Sequence, residues 1–237
     1  MTLLRGGFAA PLAGRWLFRA PAKAGGEPTE EMEDGVSQTI PDRIQLSIRM
    51  CSDMAETLLE PIARAADVLV AALRAGRTIY VCGDGGSAAQ AQHLAGELVG
   101  RFMVDRPALP CVALTTDTSV LTAVANDYNF EQVFERQVEA LVREGDVLVA
   151  ISTSGESVNV LKAASLARKR GARTIGLTGA GGGKLVELCD ECIAVPAESS
   201  PLIQEGHLLV LHILCGLVEQ ALFARDEPKD NEQDKRE

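Results

Sequence analysis

Short β-rich segments alternate with helical segments through most of this 237-residue chain. The β-rich runs cover residues 78–82, 111–114, 147–151, 173–177 and 191–195. Helical patterns lie between them, at 88–102, 131–142 and 158–169, and a last helix is predicted over 202–223. Strands separated by helices need crossover connections, which join parallel strands. The order therefore predicts an α/β fold, a three-layer αβα sandwich around a mainly parallel five-stranded sheet.

The two ends of the chain differ from this pattern. Residues 1–23 contain basic residues and no acid, whereas residues 24–42 contain acids and no base. We predict a disordered extension over 1–41, one folded domain over 42–224 and a disordered charged tail over 225–237. A targeting peptide, or a start codon assigned too far upstream, is the alternative for the first segment. Helical spacing of apolar residues from Ile44 to Leu73 predicts a long N-terminal helix before the first strand.

Charge and cysteine content narrow the classes of partner and compartment. The formal net charge of −10 opposes delocalised binding to nucleic acid or anionic membranes, so neither partner is predicted. The apolar stretch 208–218 is too short to span a bilayer. Six cysteines lie mostly in apolar runs, which is typical of reduced thiols in a cytoplasmic protein. Cys189 and Cys192 lack the second pair of a structural zinc site, so burial is the favoured interpretation.

Two predicted loops follow strands directly and carry residues suited to a ligand. The first is Gly83-Asp84-Gly85-Gly86-Ser87, and the second is Ser152-Thr153-Ser154-Gly155-Glu156-Ser157. Glycines allow close approach of the backbone, and hydroxyls at a helix N-terminus suit a phosphate monoester. Helix capping alone needs one such hydroxyl, and the second loop has four. The first loop also fits a dinucleotide pattern, but the acid expected at the end of the second strand is missing.

Acids and bases recur at helical spacing after these loops. His93 and Glu97 are four residues apart and share a helix face, while Gln204, His207 and His212 lie on the last predicted helix. A single histidine in an apolar helix is more often a core residue with one hydrogen-bond partner. Histidines on two helices near ligand loops favour proton-transfer chemistry instead.

Several motifs occur together in one order. They are 82–89 (CGDGGSAA), His93-x-x-x-Glu97, 100–102 (GRF), 125–127 (AND), 151–155 (ISTSG), 177–179 (LTG), 182–184 (GGK) and 203–212 (IQEGHLLVLH). Over about residues 44–223 the chain resembles sugar isomerase (SIS) domain proteins of the phosphoheptose isomerase type. The resemblance implies aldose–ketose isomerisation between sedoheptulose 7-phosphate and D-glycero-D-manno-heptose 7-phosphate through an enediol.

The resemblance also implies roles for individual residues. Glu97 matches the base and His212 its partner acid/base. Substrate contacts match Asp84, Gly85, Gly86, Asn126, Asp127, Ser152, Thr153, Ser154, Ser157 and Gln204. A zinc ion, one per subunit, matches the ligands His93, Glu97, Gln204 and His212. Members are homotetramers with sites between subunits.

Three residues depart from the family pattern: Asp84 and Glu156, where Asn is usual, and Leu202, where Arg is common. All three reduce charge complementarity to an anion. Two alternatives therefore stay open. One is a non-catalytic SIS-domain scaffold resembling the paralogue that associates with the replication initiator DnaA, which typically lacks the matches to Glu97 and His212. The other is an isomerase of another sugar phosphate, or one committed to a capsule or antibiotic heptose pathway.

Overall fold

A computed structural model of the protein describes residues 40–223. The predicted extension, apart from residues 40 and 41, and the predicted tail lie outside these residues. The described helices are α1 Ile40–Thr57, α2 Leu59–Arg74, α3 Gly86–Val99, α4 Thr118–Asp127, α5 Glu135–Leu141, α6 Val158–Lys169, α7 Leu185–Leu188 and α8 Ser200–Phe223. The strands are β1 Ile79–Gly83, β2 Cys111–Ala113, β3 Val147–Ile151, β4 Arg173–Thr178 and β5 Glu191–Ala194. The alternation predicted from the sequence is confirmed, while α4 and α7 were not predicted.

The five strands form one parallel sheet in the order β2-β1-β3-β4-β5. Alternate residues of β3 enter two separate hydrophobic clusters: Val149 packs with residues of α2 and α8, and Leu148 with residues of α5 and α6. Both faces of the sheet are therefore covered, and the predicted three-layer αβα fold is confirmed. The chain leaves β1 toward β2 and returns to β3 on the other side. Ligands bind at such a reversal of strand order in open α/β sheets.

The predicted N-terminal helix is present as two consecutive helices, α1 and α2, which break at Leu58. Pro61 explains the break, because proline has no backbone N–H and its ring crowds the carbonyl four residues earlier, that of Thr57. Leu58 is buried on the inner side of the bend, with 6% of its surface exposed. Ile40, Ile44 and Ile48 instead lie exposed along the outer face of α1.

Helix α8 runs through the middle of one helical layer. By length and composition it could cross a membrane, yet 44% of its apolar 18-residue stretch is buried within the fold. It packs against α1, α2 and α3. His207 lies at its buried face, where Nε2 is 3.0 Å from the backbone oxygen of Thr178. These contacts are those of a core helix in a globular domain.

Candidate active site

Both predicted ligand loops begin at the strand-order reversal. Gly83, the last residue of β1, lies opposite Ile151, the last residue of β3. A Cβ atom at Gly83 would lie 2.8 Å from the backbone oxygen of Ile151, so only glycine fits here without displacing the strand ends. The loops over 84–87 and 152–157 therefore leave the sheet side by side.

The hydroxyls of the second loop are not used for ordinary helix capping. Ser157 holds the N-cap position of α6, but its side chain makes no capping hydrogen bond. Its Oγ instead lies 2.9 Å from Oγ of buried Ser152. Thr153 Oγ1 lies 3.4 Å from Oγ of Ser200, the first residue of α8. The loop thus brings several neutral donors to the N-terminus of α6, which is a favourable environment for an anion.

A glycine-rich segment packs directly against this loop. Gly155 has φ +66°, and a Cβ atom there would overlap the carbonyl oxygen of Gly182. Gly182 and Gly183 also have positive φ values, of 70° and 56°. Leu185 N donates to the carbonyl of Gly155 at 3.1 Å. Backbone contact at this distance requires glycine on both sides and fixes the path of the loop over 152–157.

Glu156 points out of the loop. Its Oε1 accepts from Lys184 N at 3.0 Å, and its Oε2 accepts from Lys184 Nζ at 2.7 Å. The side-chain hydrogen bond from Lys184 lowers the pKa of Glu156. The negative charge is therefore paired with a lysine at the loop surface. The departure from the family pattern at this position is compatible with an anion in the loop.

The first loop connects to both neighbouring helices. Asp84 Oδ1 accepts from Nδ2 of buried Asn159, in the first turn of α6, at 2.8 Å. Gly85 has φ +55° and holds the N-cap position of α3. The amide of Gln204 lies where a Cβ atom at Gly86 would be, so any larger residue would displace it. Asp84, Gly86 and Gln204 thus meet at the N-terminus of α3.

The predicted acid and base residues come together from two helices. His93 Nε2 on α3 lies 2.8 Å from His212 Nε2 on α8 and 3.4 Å from Glu97 Oε1. Ligand-type atoms of the three residues all lie within 4.8 Å of one another. Glu97 and His93 are partly exposed, with 24% and 40% of their side chains accessible. The cluster joins a carboxylate and two imidazoles at a surface that a small molecule can reach.

This donor set fits a zinc ion, because imidazole nitrogen and carboxylate oxygen are common zinc ligands. It equally fits proton transfer, because a carboxylate and an imidazole can act as base and acid near neutral pH. The amide of Gln204, the fourth ligand implied by the family resemblance, lies against Gly86 at the N-terminus of α3.

Two polar residues of this region were not singled out in the sequence. One is Asn159, the partner of Asp84. The other is Gln90, which is buried on α3 one turn before His93 and whose Nε2 donates to the backbone oxygen of Gln204 at 2.6 Å. The Oε1 atom of Gln90 is buried without a hydrogen-bond partner among the described residues. Its spacing of three and seven residues from His93 and Glu97 was the available signal, since it places all three on one helix face.

Other predicted candidates lie elsewhere. His207 is fully buried, and burial lowers its pKa to about 4, so it is a neutral core histidine. Asn126 and Asp127 end α4 and are exposed, with Asn126 Nδ2 donating to Asp127 Oδ1 at 2.9 Å. This hydrogen bond joins the two residues to each other, and within residues 40–223 neither side chain is hydrogen-bonded to the histidine cluster.

The six cysteines are all free. Cys189 and Cys192 lie against Gly176 of β4. Burial raises the pKa of both thiols, which keeps them protonated and unreactive at neutral pH. Both cysteines are half-buried, so the burial favoured from the sequence is partial.

The chain is similar in sequence and in structure to proteins of one family. The model of the SIS domain family matches residues 44–179. A phosphoheptose isomerase of Rhodospirillum rubrum is 62% identical over 161 residues, which cover 68% of this chain and 86% of that protein. The solved phosphoheptose isomerases of Neisseria gonorrhoeae and Francisella tularensis are 43% and 39% identical, with TM-scores of 0.71 and 0.73. Each alignment covers 77% of this chain and 100% of the solved chain.

Proposed function

This chain belongs to the phosphoheptose isomerase family of SIS-domain proteins, and we propose that Glu97 and His212 carry out its aldose–ketose isomerisation. The substrate is sedoheptulose 7-phosphate and the product D-glycero-D-manno-heptose 7-phosphate. The observation that carries the proposal is the approach of a carboxylate from α3 and an imidazole from α8, both within reach of His93.

Isomerisation moves hydrogen between two neighbouring carbons and two oxygens. Glu97 removes a proton from C1 of the ketose, and His212 delivers a proton to the carbonyl oxygen on C2, which gives the enediol. Return of the proton to C2 and removal of the proton from the C1 hydroxyl complete the aldose. Each step needs a partly exposed acid or base beside the sugar, and the accessibility of Glu97 supports this role.

The phosphate end is assigned to Ser152, Thr153, Ser154 and Ser157 at the N-terminus of α6. Support comes from the hydroxyls that are not used for capping and from the outward pairing of Glu156 with Lys184. The sugar hydroxyls are assigned to the loop containing Asp84, Gly85 and Gly86, and to Gln204. Asp84 is a hydrogen-bond acceptor held by Asn159, which suits a hydroxyl rather than a phosphate.

Zinc binding is assigned to His93, Glu97, Gln204 and His212. When bound there, zinc would polarise the ketose carbonyl as a Lewis acid. The residues themselves retain two duties, since Glu97 and His212 are also the proposed proton carriers. His93 is the ligand without such a second duty, and it is therefore the position at which metal binding is best tested.

We assign a homotetramer with sites between subunits and a cytoplasmic location. The exposed apolar face of α1, which includes Ile44 and Ile48, supports subunit packing, because monomers rarely expose such a stripe along one helix. Asn126 and Asp127 are assigned to substrate contacts in that assembly, and their exposure at the end of α4 supports this.

The test is an isomerisation assay with sedoheptulose 7-phosphate in deuterated water. Appearance of the aldose with solvent deuterium at C2 is the expected result, because the base that removes the C1 proton of the ketose exchanges it with water before a proton is returned to C2 of the enediol. Absence of turnover on any seven-carbon sugar phosphate, together with tight binding to a protein partner, would favour the scaffold alternative.

A further inference from the structure

A buried ion pair joins α8 to the segment that follows α3. Arg106 Nε donates to Glu219 Oε1 at 2.9 Å, and the two side chains are 1% and 4% exposed. Burial disfavours the charged form of Glu219, but three backbone N–H groups and Arg106 outweigh it, so the pKa of Glu219 is lowered overall. Burying charged groups costs free energy, so we infer that this pair is retained because it holds neighbouring groups in place.

The groups that it holds belong to the segment 100–106, which links α3 to the sheet. Glu219 Oε1 accepts from Phe102 N at 2.9 Å, and Glu219 Oε2 accepts from Met103 N at 2.9 Å and Val104 N at 3.1 Å. Arg106 donates back to the last turn of α3, to the backbone oxygens of Glu97 and Leu98, each at 2.8 Å. One ion pair thus binds α8, the linking segment and the end of α3 together.

Phe102, which belongs to this segment, packs against His212 of the histidine cluster. Its ring centroid lies 5.5 Å from that of His212, at an interplanar angle of 34°. This spacing is within the range of favourable aromatic pairs. The Phe102 ring also lies over Gly216, one turn after His212, where a Cβ atom would be 3.7 Å from Cε1. His212 therefore has Phe102 in contact as well as His93, whose ring centroid is 5.0 Å away.

We propose that Phe102 is a positioning residue that fixes the orientation of the His212 ring, and that the buried Arg106–Glu219 pair is the brace that holds Phe102 in place. The proposal rests on the assigned role of His212 in isomerisation. Phe102 does not itself exchange protons; it restricts the ring to the orientation in which Nε2 faces His93. A small misplacement of a catalytic group is known to be costly for the chemical step.

The test compares Phe102→Leu with Phe102→Tyr in the full-length protein. Leucine keeps the apolar bulk but removes the ring, whereas tyrosine keeps the ring. We expect Phe102→Leu to lower kcat about tenfold with KM for sedoheptulose 7-phosphate nearly unchanged. We expect Phe102→Tyr to retain wild-type kcat.

Phe223→Leu is the matched control. The Phe223 ring also lies near Arg106, with the guanidinium carbon 5.7 Å from its centroid, but its recorded ring contact is not with a histidine of the described chain. This variant should keep kcat. An equal loss of kcat in Phe223→Leu and Phe102→Leu, or no loss in Phe102→Leu, would overturn the proposal.

A second readout does not depend on turnover. The chain has three histidines, so proton–carbon NMR of protein labelled at histidine Cε1 gives few signals, and His212→Gln identifies the one from His212. Loss of the ring-current shift in Phe102→Leu, with the shift kept in Phe102→Tyr and Phe223→Leu, is the expected result. An unmoved His212 signal in Phe102→Leu would refute the positioning role even if the protein proved not to be an isomerase.

Discussion

His93 and His212 lie 119 residues apart in the chain, yet their Nε2 atoms are 2.8 Å from each other. Two imidazole nitrogens at this distance form a hydrogen bond when one is an N–H donor and the other presents a lone pair. The carboxylate of Glu97 lies beside this pair, with its Oε1 3.4 Å from His93 Nε2. Two imidazoles and one carboxylate therefore meet where α3 packs against α8.

Glu97→Gln tests the base directly. The amide keeps the size of the side chain but accepts no proton, so we expect kcat to fall by about a thousandfold, within the range attributed to general bases. Exchange of the C1 hydrogen with solvent should disappear, while substrate binding measured by calorimetry persists. Glu139→Gln, an exposed glutamate on α5, is the control and should behave as wild type. Full activity in Glu97→Gln would remove Glu97 as the base.

His93→Ala tests the metal site. Removal of one imidazole from the cluster should lower zinc content, measured by mass spectrometry on protein purified without chelator, from one ion per subunit to well below one. Cys189→Ala is the control, because its buried thiol is expected to have no part in metal binding. If zinc content fell in Cys189→Ala and not in His93→Ala, the metal would belong to the cysteine pair.

Gly155→Ala tests the assignment of the substrate phosphate to the loop over 152–157. A methyl group there would overlap the carbonyl oxygen of Gly182, and the loop would have to move. If two hydroxyl hydrogen bonds to phosphate are lost, each worth about 1 kcal/mol, KM should rise roughly thirtyfold. Gly76→Ala is the matched control: Gly76 has a similar φ of 68° but open space around it. It should lose stability without a change in KM, and a similar KM in both variants would contradict the loop assignment.

His207 predicts a pH dependence of stability. Burial lowers its pKa from 6.5 to about 4, so the unfolded chain binds a proton that the folded protein does not. As the pH falls from 6.5 toward 4, the free energy of unfolding should therefore decrease, by up to about 3 kcal/mol from this residue. Denaturant unfolding of wild type and His207→Gln across this range measures the difference between their slopes. Parallel pH profiles would show that His207 is not responsible.

Glu219→Gln predicts the cost of breaking the buried pair. Arg106 would keep its charge in a site with 1% exposure, and such a loss typically lowers the free energy of unfolding by about 3–5 kcal/mol. Glu131→Gln breaks the exposed pair with Lys162, which should cost less than about 1 kcal/mol. Urea unfolding of the two variants compares these values, and equal costs would mean that the buried pair is unimportant for stability.

Local patterns in the sequence predicted the sheet well. The bounds of β3 and α6 agree with their predicted ranges, because fully apolar strands and regular helical spacing depend mainly on neighbouring residues. The ligand loops were predictable for the same reason, since each directly follows a strand. The break at Leu58 could have been predicted from Pro61, whose effect on a helix is local.

Contacts between distant residues were not predictable in this way. Glu219 and Phe102 are 117 residues apart, and nothing in either local sequence indicates that one binds the backbone of the other. A glutamate in the apolar sequence of α8 was a signal of a buried partner, but it did not identify Arg106. Asn159 and Gln90 were missed similarly, because their partners Asp84 and Gln204 lie on other elements.

The brace has a practical consequence for protein engineering. His212 and Glu219 are two turns apart on α8, and the groups that contact them lie on α3 and the linking segment that follows it. Residues 86–106 and 200–219 therefore contain both the histidine cluster and the groups that hold it in place. A design that grafted only Glu97 and His212 onto another parallel-sheet protein would lack Phe102 and the ion pair that position His212.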